Sequence, residues 1–210
     1  MLVAFFLKGV VAGLVIGVPI GPVGILCLRR TIFEGRLAGL ASGLGAASGD
    51  AAFGAIAGFG LTAISDWLLG YQGWLRFAAA CFLFYIGGSA LLREPRTRLG
   101  ARRDPEGLVR NYLSIFLLTV ANPVTILAFA GIFAGLGLAE EHATSGRVGI
   151  MVLGVWCGSL LWWLLLSLGA DLFRGSFDAR FLTWINRGSG GILLLSGAGL
   201  LATVIFGHVV

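Results

Sequence analysis

The stretch Val18-Pro19-Ile20-Gly21-Pro22-Val23-Gly24-Ile25-Leu26-Cys27-Leu28-Arg29-Arg30 interrupts a long apolar run near the start of the chain. Each proline removes a backbone donor and clashes with the preceding turn, while Gly17, Gly21 and Gly24 add backbone freedom. A regular helix must break here. In a bilayer core an unpaired amide or carbonyl is costly, so irregular backbone survives only where it is buried in protein or lines a cavity. The break therefore marks a candidate site.

The same device recurs further along the chain. Asn122-Pro123-Val124-Thr125-Ile126-Leu127 echoes Gly21-Pro22-Val23-Gly24-Ile25-Leu26, again inside an apolar run. Gly or Asn is an acceptable N-cap and Pro is favoured at the first helical position, so each motif reads as a helix restarting. Each restart would aim free backbone N–H groups and a partial positive charge into the membrane, where a carboxylate can be received. A single such motif is better explained by a packing kink. Two, at matching places in two halves, favour a binding site.

Composition sets the class. Of 210 residues, 58% are apolar and 12% charged, against about 45–50% and 25% in soluble domains. The chain reads as an integral membrane protein, all-α, and not an enzyme. Its formal charge of +5 would suggest nucleic acid in a soluble chain; here the basic residues flank apolar spans, so no nucleic-acid partner is expected. Cys27, Cys81 and Cys157 fall one per helix without Cys-x-x-Cys spacing, and Glu140-Glu141-His142 sits on a polar stretch. No disulfide framework, metal site or cofactor is expected. The N-terminal apolar run lacks a basic n-region and an Ala-x-Ala site and reads as retained.

Six spans follow, near residues 3–28, 37–64, 74–92, 111–138, 148–170 and 185–210, with the first and fourth broken at the proline motifs. They form one transmembrane domain over 1–210: a repeat over 1–92, a polar loop over 93–110 and a repeat over 111–210. Arg29, Arg30 and Arg36 follow span 1; Arg93, Arg96, Arg98, Arg102, Arg103 and Arg110 follow span 3; Arg174, Arg180 and Arg187 follow span 5. Only Lys8, Arg76 and Arg147 lie on the other side. The odd-numbered loops are expected to be cytoplasmic and both termini outside.

A second correspondence supports two halves. Span 2 carries Gly45-Ala46-Ala47-Ser48-Gly49-Asp50 and span 5 carries Gly154-Val155-Trp156-Cys157-Gly158-Ser159. With three spans per half, the copies enter the membrane from opposite sides, as an inverted repeat. The small residues Gly39, Gly43, Ala46, Gly49, Gly54 and Gly58 allow close packing, within the chain or in a homodimer. Asp50 is the acid placed deepest in an apolar run. A carboxylate there costs about 2.5–3.5 kcal/mol on insertion scales and usually faces a bundle interior or a pathway; its bland reading is a hydrogen bond that only holds helices together.

These residues resemble the LysE/RhtB amino-acid exporters over nearly the whole chain. The resemblance rests on the Pro19 to Pro22 break and the basic stretch after it, Gly49-Asp50, Tyr85-Ile86-Gly87, Asn122-Pro123, Trp184-Ile185-Asn186-Arg187 and Ser189-Gly190. It implies a bacterial inner-membrane protein that exports amino acids or related small solutes, driven by the proton-motive force. Members more often carry asparagines where Val23 and Gly24 stand, which bears on the substrate. The expected substrate-binding set is Pro19, Gly21, Pro22, Val23, Gly24, Asp50, Asn122, Pro123, Thr125 and Ser159, with Asp50 also carrying the proton. Membrane lipids surround the bundle. Three alternatives stay open: a non-transporting assembly or lipid-binding protein, which would need neither Asp50 nor paired breaks; export of another solute such as a metal cation; and a redox carrier like the CcdA/DsbD thiol transporters. The last chemistry wants paired cysteines in spans 1 and 4; span 1 has Cys27 and span 4 has none.

Overall fold

The computed structural model describes residues 2–17, 21–59, 70–92, 105–121, 129, 145–174 and 179–206. Among these, seven helices and no strand are found: α1 (Leu2–Gly17), α2 (Pro22–Glu34), α3 (Arg36–Gly58), α4 (Gln72–Leu92), α5 (Pro105–Val120), α6 (Ser145–Arg174) and α7 (Ala179–Phe206). Three stretches, Gly73–Leu92, Ser145–Leu172 and Thr183–Ile205, are long and apolar enough to cross a membrane, and α1 with α2 makes a fourth candidate as a bent pair. At 23 residues α3 also has the length of a span. Exposed apolar side chains such as Trp74, Tyr85, Leu165, Trp184 and Leu195 line the outside of the bundle, where a bilayer replaces water as solvent.

The break after Gly17 is sharper than the sequence suggests. The sequence alone predicts a first span that runs through to residue 28 and is closed by Arg29, Arg30 and Arg36. Instead α2 departs from α1 at 82° and runs on to Glu34. Gly21 caps α2 in an extended conformation with Pro22 at the first helical position, so the new helix starts in its own direction. It ends at Gly35, whose φ of 101° is the one positive value among the described residues. That conformation is open to glycine and strained for other residues. The Gly35 N–H bonds the carbonyls of Arg30 and Thr31, and the chain folds back as α3.

Another boundary moves for a simpler reason. The polar loop was expected to last until residue 110, but α5 begins at Pro105 with Glu106 in its first turn. Proline at the start and an acid against the positive helix end both favour that early start. The helix stops at Val120, and the second proline motif lies outside the described residues.

Close backbone approach sets the packing order. A Cβ on Gly9 would land on the Met151 carbonyl and one on Gly13 on the Val155 carbonyl, while Gly154 and Gly158 face the Phe6 and Val10 carbonyls. Thus α1 lies directly along α6. In the same manner Gly45 faces the Tyr112 carbonyl and Gly49 faces Thr119, which seats α3 on α5; Gly43, on another side of α3, takes Trp163 of α6. These glycine faces are used within the chain. The pair α4–α7 packs through Gly87 and Gly190 and reaches the other helices chiefly through α2.

Candidate functional site

Asp50 lies on α3 with about 5% of its surface exposed. Its depth in the bundle follows from the α2–α3 hairpin. Arg30 and Ser42 touch across that hairpin, and Leu26 and Cys27 share a core with Ala46 and Ala47. Pro22 and Asp50 each stand eight residues further on, about 12 Å along their helices at 1.5 Å per residue. The hairpin therefore carries the restarting N-terminus of α2 and the carboxylate toward the same end. Among the described residues, a Cβ on Gly21 would meet nothing within 4 Å.

Asp50 does not stand alone. The Ser159 hydroxyl of α6 donates to Asp50 Oδ2 at 2.7 Å, and Trp163 Nε1 donates to Ser159 Oγ at 3.2 Å. All three side chains are buried. The two residues that close the matching glycine patterns, Asp50 and Ser159, thus meet across the α3–α6 contact. On α5, Thr119 packs against Gly49, and its buried hydroxyl has no hydrogen-bond partner among the described residues.

A second polar centre escaped the sequence reading. Arg30, which the sequence places among the charges closing a span, is 7% exposed. Its guanidinium donates to Ser42 Oγ at 3.0 Å, the Asn111 carbonyl at 2.9 Å and Ser114 Oγ at 2.8 Å. Asn111 Nδ2 in turn donates to Glu34 at 3.0 Å. Arg29 points elsewhere, with Nε and Nη2 each 3.2 Å from Asn186 Oδ1 on α7, and Asn186 donates to the Ala90 carbonyl on α4. The signal available was the Asn111 and Ser114 pair at the start of the apolar run within α5.

Of the expected site residues, Gly21 and Pro22 form the start of α2, Val23 and Gly24 pack into its contact with neighbours, and Asp50 and Ser159 bond one another. Pro19, Asn122, Pro123 and Thr125 lie outside the described residues, as does Glu140-Glu141-His142. The second half-helix is therefore not placed beside the first. Within Tyr85-Ile86-Gly87 and Trp184-Ile185-Asn186-Arg187, Gly87 packs against Gly190 and Asn186 donates to the Ala90 carbonyl, while Tyr85 and Trp184 lie exposed. An apolar groove of about 870 Å³ between α4 and α5 ends at Glu106, Arg110 and Ser114, and it includes neither Asp50 nor Ser159.

Residues 14–203 match the family model described as LysE type translocator. The chain belongs to the LysE-type translocators. This LysE-type translocator is also 27% identical, over 91% of its length and 92% of the relative's, to a Bacillus subtilis (strain 168) protein named "Putative amino acid efflux protein YcgF". No solved structure matches it. Family and apolar helices together make it a multi-pass membrane transporter. Cys27 is buried on α2, Cys81 exposed on α4 and Cys157 part-buried on α6, all free thiols; residues 105–144 contain no cysteine to face Cys27.

Proposed function

We propose that this LysE-type translocator exports amino acids across the bacterial inner membrane in exchange for protons. The observation that carries the reading is the buried Asp50 carboxylate, bonded from the first half of the chain to Ser159 in the second. A carboxylate at that depth costs about 2.5–3.5 kcal/mol, and a neutral binding role would not need it. The positive N-terminus of α2 at Gly21-Pro22 receives the substrate carboxylate. Asp50 takes either the substrate ammonium or a proton, and this exclusion couples the two fluxes. The name of the Bacillus subtilis relative supports amino acids as cargo.

The packing order supports an inverted repeat. Gly154 and Gly158 of α6 face α1 at Phe6 and Val10, and Gly45 and Gly49 of α3 face α5 at Tyr112 and Thr119. In each case the second helix of one half lies on the first helix of the other. Residues 1–92 and 111–210 rock against each other about the α3–α6 contact, exposing Asp50 to one side and then the other.

The test is efflux from vesicles loaded with a panel of amino acids and, separately, divalent cations, with and without an acidic exterior. The acidic exterior is expected to accelerate amino-acid efflux in the parent protein. Asp50→Asn is expected to insert normally and lose that acceleration. An Asp50→Asn protein that responds to the gradient like the parent, beside an Asp50→Leu protein that fails to insert, would reduce Asp50 to a helix clamp and end the proposal.

A further inference from the structure

We infer that Trp163 is a positioning residue for Asp50, acting through the Ser159 hydroxyl; this rests on Asp50 being the coupling group. An indole N–H can only donate, and a serine hydroxyl has one proton. With Trp163 Nε1 donating to Ser159 Oγ at 3.2 Å, one acceptor position of the hydroxyl is occupied, and its single proton is directed at the ionised Asp50, whose Oδ2 lies 2.7 Å away and can only accept. While Asp50 is ionised, the donor inventory runs the chain in one direction, from Trp163 through Ser159 to Asp50. Oδ2 is thereby committed, which leaves Oδ1 as the oxygen that takes a proton or an ammonium.

The indole is itself held. Trp163 follows Ser159 by one helical turn and is 4% exposed, and Gly43 of α3 sits so close that a Cβ there would press on the Trp163 Cβ. Without the indole N–H, the hydroxyl is free to rotate to the carbonyl one turn back, the usual alternative for a serine within a helix. The carboxylate then loses its fixed orientation. Of the charged groups on the helices around α3, Arg29 is engaged with Asn186, Arg30 with Ser42, Asn111 and Ser114, and Glu34 with Asn111. Lys8 of α1 and Arg147 of α6 lie over Phe5, and Arg110 of α5 lines the α4–α5 groove.

Trp163→Phe keeps an aromatic ring and removes the donor. Full-length protein in vesicles would be assayed for efflux driven by a proton gradient and for counterflow without one, using the amino acid the parent exports fastest. Gradient-driven efflux is expected to fall about three- to tenfold, the worth of one lost hydrogen bond, while counterflow falls much less. In a Ser159→Ala background the same change is expected to have no further effect. Equal loss of both rates, or an additive effect on top of Ser159→Ala, would make Trp163 a packing residue and overturn the inference. Asp50→Asn in the same assay separates the two readings. If it keeps the gradient response, the coupling role of Asp50 falls; if it loses the response while Trp163→Phe matches the parent, only the inference about Trp163 falls. Should Trp163→Phe fail to insert, Gly43→Ala displaces the ring with its N–H intact and is expected to give the same selective loss. Parental coupling in Gly43→Ala would then count against Trp163.

Discussion

Among the described residues, Asp50 and Arg30 are the charged side chains buried in the bundle, and each is met by neutral groups. Three hydrogen bonds from a guanidinium, at about 1.5–3 kcal/mol apiece for a charged donor, more than offset the 2.5–3.5 kcal/mol or so of placing it there. Ser114→Ala removes one of the three acceptors and is expected to destabilise the folded protein by about 1–3 kcal/mol, read as a lower midpoint in a thermal scan in detergent. An unchanged midpoint would mean that the Arg30 cluster contributes little. Gly35→Ala tests a backbone cause instead: at φ 101° an added Cβ is strained by about 1–3 kcal/mol, and a parental midpoint would show that the turn adapts. The burial of Asp50 was legible in the sequence because an acid deep in an apolar run usually faces a bundle interior. That of Arg30 was not, because two arginines after an apolar run look like the end of a span until the bend of α2 folds them inward.

The helices show why local signals locate a break without giving its direction. Proline and glycine fix where backbone hydrogen bonds must stop, and α2 indeed restarts with Gly21 as cap and Pro22 at the first position. The 82° turn is decided by what α2 packs against: α3 through the Gly35 turn, α5 through Arg30 and α7 through Arg29. Glycine spacing was likewise readable as close packing, but not its partners, since a small residue carries no mark of the backbone it admits. The clearest case is α1 on α6. Gly158→Leu sets a side chain against the Val10 carbonyl and is expected to force the two helices apart, so that a cysteine pair placed across them cross-links poorly. Cross-linking at the parental rate would contradict the observed packing.

For the molecule as a whole, the meeting of Asp50 and Ser159 has a testable corollary. If the two halves are inverted copies facing one pathway, the carboxylate should work from either side of the α3–α6 contact. Asp50→Ser is expected to abolish gradient-driven efflux, and adding Ser159→Asp is expected to restore part of it. Failure of the double variant, with normal insertion, would show that the halves are not interchangeable at this position. Orientation is a separate matter. Removing Arg29 and Arg30 from the loop charges still leaves Arg36, Arg174 and the arginines from Arg93 to Arg110 on one side, so the termini are expected outside. Single cysteines placed in residues 93–104, with the native three replaced, should resist an impermeant label in intact cells; strong labelling there would invert the topology.

The neighbouring arginines of α2 also constrain how this protein can change over time. Successive residues on a helix point about 100° apart, which lets Arg29 reach Asn186 of α7 while Arg30 reaches Ser42, Asn111 and Ser114 on α3 and α5. Inserting or deleting one residue between Pro22 and Arg29 would rotate both arginines by that same angle and mismatch every partner at once. Point substitutions elsewhere on α2 can accumulate singly, but its length cannot drift, and relatives that share the two arginines should share the spacing from the proline to the pair.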